Sequence, residues 1–393
     1  MTTTSTRARA TAQRSSRQEG FAARTTTWLR FLRALGRREV CYYLRRPTNL
    51  LPFLTYRCSS RCRSCQMWRR VGGEEWTCDQ WLGFLGSLDG SLRHVEPFGG
   101  DVMLRPDVLF PLIEESARRG LIVDIPLNGV LITPPAAERL AAMPINTIYV
   151  SVDGVGEVHD NVRQVSGNCD RIASAVGIIR RARGDRTRPT LAGNTTVSRL
   201  NYDQCADIAQ FAHDVGFDHV SFEYCGEFPP EAVDASAIDG VRPRPYYERQ
   251  AESLLLSQEQ ARCVKRDLDR LRRQRSDDGF HVVTRNIDFL TIAEMVTGQP
   301  RMSRCYVCRT LLTIDPSGNV LPCPFFDQYH LGNLAQTPLR QIWNNARHRR
   351  FVALQRTGKL PMCRYCILSV ERNLTLGQAL SKWYLTHTQR GRW

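Results

Sequence analysis

Cysteine is the residue type in this sequence with the clearest chemical signature. The 393-residue chain contains 14 cysteines. The chain is long and its first residues lack the continuous apolar stretch of an export signal, so a disulfide framework is not expected. We therefore predict that the grouped cysteines bind metal or iron–sulfur clusters; they are Cys58, Cys62, Cys65 and Cys305, Cys308, Cys323, Cys363, Cys366. The others are scattered and are expected to be small buried apolar side chains: Cys41, Cys78, Cys169, Cys205, Cys225 and Cys263.

The first group, Cys58, Cys62 and Cys65, directly follows a short apolar stretch that is typical of a β-strand. Three thiolates on one short loop can bind three irons of a cubane [4Fe–4S] cluster and leave the fourth iron without a protein ligand. Such an open iron can bind and reduce a small molecule. The alternative is a zinc site completed by a distant histidine, because a structural zinc ion takes four protein ligands.

The second group has the spacing of a four-thiolate zinc site when its two Cys-x2-Cys pairs, Cys305/Cys308 and Cys363/Cys366, are combined. Between the pairs, the segment 313–320 places Asp-Pro-Ser-Gly between apolar stretches, which predicts a strand, a tight turn and a second strand. This hairpin would deliver Cys323 just after its turn.

The region 51–225 alternates short apolar stretches with helix-like stretches, a pattern typical of parallel βα units. We predict an α/β fold, a partial (β/α)6 TIM-like barrel followed by a small α+β domain. In such barrels the functional groups lie at the carboxyl ends of the strands, where this sequence has the turns Gly99-Gly100-Asp101, Asn128-Gly129 and Asp153-Gly154. The predicted strands are 51–57, 93–98, 121–127, 147–152, 191–197 and 219–224, and the helices lie near 79–91, 107–119, 134–143, 168–184 and 201–215.

The remaining segments differ from this region in composition. Residues 226–250 are rich in proline and predict an excursion, and a helix near 257–275 begins with a possible capping box of Ser257 and Gln260. The predicted organisation is a disordered basic arm at 1–27, a basic amphipathic helix at 28–50, the barrel at 51–225, a linker with a bridging helix at 226–299, the second cysteine domain at 300–370 and a tail at 371–393.

The charge of the chain is strongly basic, with 54 basic and 39 acidic residues and a net charge of +15. Residues 1–50 carry 11 arginines against Glu19 and Glu39, so the basic excess lies mostly near the N-terminus. We therefore expect no specific nucleic-acid partner. The helix at 28–50 is expected to pack on the domain, with contact to an anionic membrane surface as the alternative. The apolar stretches are shorter than the ~18 residues that a membrane span needs.

Taken together, the triplet and the turns resemble the radical S-adenosylmethionine (SAM) superfamily. Phe98-Gly99-Gly100-Asp101 resembles the Gly-Gly-Glu segment after its second strand, and Ser151-Val152-Asp153-Gly154 resembles its fourth-strand segment. Two positions depart from the family pattern. Asp101 stands where the family usually has Glu, and Ser64, just before the third cysteine, stands where the family often has an aromatic residue. The resemblance implies a [4Fe–4S] cluster on Cys58, Cys62 and Cys65, and SAM contacts from Gly99, Gly100, Asp101, Asn128, Ser151, Asp153, Arg163 and Asn194.

The second cysteine group resembles the auxiliary-cluster domains of this superfamily that are called SPASM and twitch. The resemblance rests on Gly318 before Cys323 and on two later segments, His330-Leu331-Gly332-Asn333 and Ile342-Trp343-Asn344. No cysteine follows Cys366, which implies the smaller twitch size and one auxiliary [4Fe–4S] cluster. Its implied ligands are Cys305, Cys323, Cys363 and Cys366, with Cys308 as a spare or alternate.

By this resemblance the protein is an oxidoreductase that cleaves SAM reductively to a 5′-deoxyadenosyl radical, which abstracts hydrogen from an unactivated carbon. The auxiliary cluster would relay an electron. The expected substrate is a small sugar-, aminoglycoside- or nucleoside-like metabolite of natural-product biosynthesis, which is dehydrogenated or epimerised. The alternatives are a ribosomally made peptide, crosslinked or epimerised, and a lipid-linked substrate at the membrane surface.

Three further expectations follow from the same resemblance. Sulfatase-maturing relatives carry Asp where this chain has Pro324, which disfavours that activity. The roughly 50 residues before the barrel are few for an N-terminal leader-binding domain of the peptide-modifying relatives. We also expect an electron donor such as flavodoxin or ferredoxin, and a cytoplasmic location.

Overall fold

The computed structural model describes residues 32–33, 36–70, 72–88, 90–274, 276, 278–301, 304–368, 370, 377 and 380. The predicted arm 1–27 and nearly all of the predicted tail 371–393 lie outside these residues. The chain divides into a unit of Pro47–Thr375 and a second unit made of 1–46 and 376–393. Among the described residues no helix is long and apolar enough to cross a membrane.

In the second unit, residues 32–33 and 36–44 are helical. The helix predicted over 28–50 ends at Leu44, and a strand already begins at Asn49. Arg45 adopts a left-handed backbone conformation with φ of 50°. Pro47 disfavours helical geometry at the residue before it, so the helix cannot continue to residue 50.

A parallel sheet organises the larger unit. Its strands are β1 (Asn49–Thr55), β2 (His94–Val95), β3 (Phe98–Gly99), β4 (Ile122–Leu127), β5 (Thr147–Ser151), β6 (Thr190–Val197) and β7 (His219–Tyr224). β1 pairs with both β2 and β3, and the order then runs β2, β4, β5, β6 and β7, with all neighbours parallel. The second predicted strand is therefore split into two short pieces. This arrangement confirms the predicted α/β fold.

Helices connect these strands, and local sequence fixes where several of them begin. Thr77 and Gln80 form a capping box at the start of the first helix, and prolines occupy the first positions of the next two. Apolar residues of the helices pack on the strands in one core. The helices are α1 (Cys78–Gly86), α2 (Pro106–Arg118), α3 (Pro134–Ala142), α4 (Glu157–Arg163), α5 (Asn168–Arg183) and α6 (Cys205–Val215).

The segment predicted as a linker contributes one more strand to the sheet. It contains α7 (Pro230–Asp234), α8 (Gln258–Arg273), β8 (His281–Thr284) and α9 (Ile292–Thr297). β8 pairs with β7 in parallel. The predicted capping box is present at α8, where the Ser257 hydroxyl accepts from the Gln260 amide at 3.2 Å and the Gln260 side chain accepts from the Ser257 amide at 2.9 Å.

The second cysteine region joins the same sheet through the predicted hairpin. β9 pairs in parallel with β1, on the side of β1 opposite to β2, and in antiparallel with β10. The turn requires Gly318, whose φ is +81° and where a Cβ atom would lie 2.1 Å from the Trp76 ring. The region comprises α10 (Val307–Thr310), β9 (Leu311–Ile314), β10 (Asn319–Leu321), β11 (Gly332–Asn333), α11 (Leu339–Ile342), α12 (Ala346–Arg356) and a 3-10 turn at Pro361–Tyr365.

Candidate metal and cofactor sites

The cluster loop, residues 56–70, follows β1 and directs its three thiols towards the protein interior. Cys62 is buried, and Cys58 and Cys65 are half-buried. Burial, together with the neighbouring Cys62 thiol, raises the pKa of Cys58 to about 11 and that of Cys65 to about 12. The free thiols are therefore protonated near neutral pH, and binding of a metal cluster would release their protons.

Two consecutive glycines hold the start of the cluster loop against β3. The Gly100 amide donates to the Thr55 carbonyl at 2.9 Å, and the Asp101 amide donates to the Arg57 carbonyl at 2.9 Å. A Cβ atom would lie 2.2 Å from the Thr55 oxygen at Gly99 and 2.1 Å from the Arg57 oxygen at Gly100. No larger residue fits these positions unless the backbone moves, so the Gly-Gly pair sets how closely β3 approaches the loop.

Asp101 and Asn128 tie the cluster loop to the carboxyl ends of β3 and β4. The buried Asp101 carboxylate accepts from the Ser59 hydroxyl and, at 3.1 Å, from the Asn128 side-chain amide. The same amide lies 2.9 Å from the Ser59 hydroxyl and 4.0 Å from the Cys58 sulfur. The structure thus places these two predicted SAM-binding residues around the first cysteine, with the Asp101 carboxylate engaged in the loop.

Arg163 supplies a largely buried positive charge beside the thiols. Its guanidinium lies 3.0 Å from the Asp153 carboxylate, which also accepts from the Thr196 amide at 2.9 Å. Burial opposes the charged form of Arg163, but the thiolate forms of Cys62 and Cys65 and the Asp153 carboxylate outweigh it and raise the arginine pKa above its usual value. A cation held in this way can compensate the negative charge of thiolates that bind a cluster.

In the middle of β6, Asn194 presents a polar atom that has no partner in the described structure. Its amide donates to the Glu223 carboxylate at 3.2 Å, but its side-chain oxygen is buried and accepts no hydrogen bond. Ser151 lies beside it across the β5–β6 register. A buried acceptor without a partner fits the hydroxyl groups of a nucleoside, which supports the expectation that SAM binds across β5 and β6.

All five cysteines of the second group line one pocket. The rest of the pocket wall is mainly apolar and includes Phe228, Phe325, Phe326 and Phe351. Thiols in an otherwise apolar pocket fit a thiolate-bound iron–sulfur cluster, whose potential depends on its burial. Neither cysteine group has the geometry of a site for a single metal ion. The described residues include no cluster of three or more His, Cys, Asp or Glu side chains that could hold one.

Cys305 and Cys308 both reach this pocket, so the choice between them stays a prediction. The Cys308 thiol donates to Cys305 and thereby lowers the Cys305 pKa, with the amides of Cys308 and Val307 adding to the effect. His348 fixes the short helix that carries Cys308: its Nδ1 accepts from the Asn344 amide at 3.0 Å and its Nε2 donates to the Cys308 carbonyl at 2.7 Å.

Two residues of the predicted excursion lie between the cysteine groups, which local sequence patterns did not indicate. The Gln66 amide donates to the Tyr246 carbonyl at 2.9 Å, and the Tyr246 ring packs 5.0 Å from Phe325. Burial raises the pKa of Tyr246, and the charges of Cys65, Cys323 and Cys366 act on it as well. The ring therefore lies within electrostatic reach of both sites. The adjacent Tyr247 packs 4.5 Å from Tyr246.

An ion-pair cluster also joins the two regions. Arg70, from the cluster loop, lies 3.6 Å from the fully buried carboxylate of Asp327, and Arg244 lies 2.9 Å from it. Because the arginines and Asp327 are far apart in sequence, no local pattern could have indicated the pairing. Tyr224, the last residue of β7, donates from its hydroxyl to the Met295 carbonyl and is buried.

Comparison with known proteins places both cysteine regions in described families. Residues 53–212 match the model of the radical SAM superfamily, and residues 305–367 match that of SPASM, an iron–sulfur cluster-binding domain. An AdoMet-dependent heme synthase from Methanosarcina barkeri is 27% identical over 325 residues, 79% of this chain and 87% of that protein. A PqqA peptide cyclase from Streptomyces rochei is 25% identical over 338 residues, 81% of each chain.

Solved structures with the same fold include SuiB from Streptococcus suis bound to its precursor peptide SuiA. The TM-score is 0.59 at 15% sequence identity, and the alignment covers 81% of this chain and 71% of SuiB. At this identity the likeness extends to the fold.

Proposed function

Because the chain belongs to the radical SAM superfamily and carries a SPASM iron–sulfur domain, we propose that it is a maturase that modifies a ribosomally made peptide. The observation that carries this proposal is the similarity to a PqqA peptide cyclase over 81% of both chains. An alignment over 81% of the chain is longer than the barrel alone, so the similarity is not confined to the first cysteine site. In SuiB, the same fold accommodates a precursor peptide.

In that activity, different residues of this chain would bind the cluster, compensate its charge, position the cluster loop and bind SAM. When bound, the [4Fe–4S] cluster and SAM supply reductive cleavage of a carbon–sulfur bond and abstraction of a hydrogen from an unactivated carbon. Cys58, Cys62 and Cys65 would hold the cluster, and Arg163 would compensate its charge. Asp101 and Asn128 keep the loop in place, and the Asn194 oxygen would accept a hydrogen bond from SAM.

The similarity to a peptide cyclase favours a peptide over the small sugar-like metabolite that the sequence suggested first, and the polar groups beside the predicted SAM site can bind a peptide. Glu223 lies at the end of β7, within hydrogen-bond distance of Asn194. The charges of Glu223 and Asp153 both act on the Tyr247 hydroxyl, so this side chain belongs to the same edge of the sheet. Carboxylate, amide and phenol groups can hydrogen-bond to a peptide backbone.

A second candidate is the conversion of a heme precursor, because relatives at 27% and 28% identity are named AdoMet-dependent heme synthase. We place this activity second because two relatives that each cover 81% of this chain are named PqqA peptide cyclase, and the same fold in SuiB binds a precursor peptide.

The two candidates can be separated in one assay. Enzyme reconstituted without oxygen would be incubated with SAM, a chemical reductant and either short peptides encoded near its gene or a carboxylated porphyrin. We expect formation of 5′-deoxyadenosine to rise above the substrate-free rate with one peptide. That peptide should lose two hydrogen atoms in mass, or exchange one hydrogen with solvent deuterium. A response to the porphyrin alone would reject the maturase proposal in favour of the second candidate.

The auxiliary pocket gives a prediction of its own. In Cys323→Ala, the auxiliary cluster should lose a ligand, while the cluster loop keeps all three of its thiols. We expect the rate of SAM cleavage to stay within about threefold of wild type. The yield of modified peptide should fall below about one-tenth of the wild-type yield, because the auxiliary cluster can no longer relay an electron. Modified peptide and 5′-deoxyadenosine would be quantified in the same samples, with Cys263→Ala on α8 as the control thiol. Undiminished peptide modification would contradict a relay role.

A further inference from the structure

The cluster loop has a second face, which the proposed chemistry does not use. While its cysteines point inward, Arg61, Arg63 and Arg69 on the same loop are exposed to solvent. Trp68 lies among them and is partly exposed. We call these four residues the loop patch. Three arginines within nine residues concentrate positive charge on the loop that carries Cys58, Cys62 and Cys65.

Trp68 links the loop patch to a cluster ligand. Its indole Nε1 donates to the backbone carbonyl of Cys65 at 3.0 Å. The guanidinium carbon of Arg69 lies 4.9 Å from the centre of the Trp68 ring, and that of Arg61 lies 5.8 Å from it, both in cation–π range. The indole therefore contacts two cations at the surface and donates a hydrogen bond to the backbone of Cys65.

The charge of the loop patch is not neutralised within the described structure. There, none of Arg61, Arg63 and Arg69 forms an ion pair with a carboxylate, whereas Arg57 at the start of the loop pairs with Glu75 at 3.1 Å. The Arg69 guanidinium donates to the Gln250 side chain at 2.8 Å, a neutral partner that orients it and leaves its charge in place. Uncompensated cations on a surface attract an anionic partner and accelerate its association.

We propose that the loop patch is the docking site for an acidic one-electron carrier protein. In the step that follows docking, the carrier is oxidised by one electron and the cluster held by Cys58, Cys62 and Cys65 is reduced by one electron. No bond is formed or broken and no proton is transferred. Charge complementarity selects an acidic partner, and the Trp68 contact with the Cys65 carbonyl provides a short connected route from the surface to the cluster. A membrane or a nucleic acid would use the charge but not this route.

The test compares a protein donor with an uncharged small donor. Holoenzyme with Arg61→Glu and Arg63→Glu would be reduced either by reduced flavodoxin or by photoreduced 5-deazariboflavin, and loss of the cluster's visible absorbance would be followed in time. With flavodoxin at low salt, we expect the second-order rate constant to fall at least about tenfold and to lose most of its salt dependence. With 5-deazariboflavin, the rate should stay within about twofold of wild type.

A matched control carries the same charge change elsewhere. Arg266 and Arg270 on α8 are 74% and 62% exposed, and Arg266→Glu with Arg270→Glu should leave reduction by flavodoxin within about twofold. If the loop variant does not retain its iron, Arg61→Gln with Arg63→Gln provides the comparison without adding carboxylates. Equal slowing in the loop and control variants, or unchanged reduction in the loop variant, would overturn the proposal.

Two further outcomes would also overturn it. The loop variant could lose binding to vesicles of anionic lipid, or to duplex DNA, while flavodoxin reduces it normally; the patch would then serve another partner. Because the measurement needs no substrate, its result is independent of whether the protein modifies a peptide.

Discussion

Replacement of Cys58 by alanine is expected to abolish reductive cleavage of SAM. The cluster would lose one of the three thiols on its loop, and Asn128 would lose its sulfur contact at 4.0 Å. Loss of an outer-shell partner of a metal site costs about 10–100-fold in affinity or activity, and loss of a direct ligand costs more. We expect the rate of 5′-deoxyadenosine formation to fall at least about 100-fold, towards the enzyme-free background. The iron content should fall by about four irons per chain, the content of one [4Fe–4S] cluster.

The control for this prediction is Cys78→Ala. Cys78 is also a half-buried free thiol, but it starts α1 and belongs to neither cysteine group. Iron content and SAM cleavage should both stay close to wild type. A Cys58→Ala protein that still produced 5′-deoxyadenosine at the wild-type rate would show that these cysteines do not hold the cluster that acts on SAM.

Gly100→Ala is expected to have the second large effect, through sterics alone. The added Cβ would meet the Arg57 carbonyl oxygen at 2.1 Å and the Tyr56 carbonyl oxygen at 2.7 Å. Both are backbone atoms at the start of the cluster loop, so the loop and β3 must separate and the Asp101 amide loses its 2.9 Å bond to Arg57. Overpacking of this kind costs about 1–3 kcal/mol or more in free energy of unfolding.

Denaturant unfolding and SAM binding would both report the change. We expect a lower unfolding midpoint and at least about tenfold weaker SAM binding, because a shift of the loop moves Asp101 and Asn128 with it. Gly83→Ala is the matched control, since Gly83 lies in α1 with nothing within 4 Å of its missing Cβ. That change should stabilise the protein by about 0.5–1 kcal/mol. Equal unfolding midpoints for the two variants would contradict the steric argument.

Features that depend on near neighbours in sequence could be predicted well. The Asp315–Gly318 turn follows from side-chain acceptors and a left-handed glycine, and Ser257 with Gln260 forms the capping box expected from its spacing. Alternation of apolar and helix-like stretches likewise predicted the parallel α/β fold. Each of these features is caused by interactions between residues that are near neighbours in the chain, so a local sequence pattern is enough to predict it.

Features that depend on distant residues could not be predicted. The placement of Tyr246 against Gln66, and the pairing of Asp327 with Arg70, bring together segments more than 170 residues apart. Nothing near Tyr246 indicates its partner, because prolines around it give the pattern of an irregular excursion. The parallel pairing of β8 with β7 likewise joins segments that are distant in sequence, with α7 and α8 between them.

The pairing of β9 with β1 also bears on the order in which the protein folds. Asn49 faces Leu311, so one edge of the strand that precedes the cluster loop has its partner about 260 residues later in the chain. During synthesis this edge stays open until the hairpin leaves the ribosome, and pairing over such a separation slows folding. An open strand edge is a site for pairing with other chains. Nascent chains that stop before Leu311 would therefore be prone to aggregate, and the first cluster site would become fully supported only when the auxiliary region had been made.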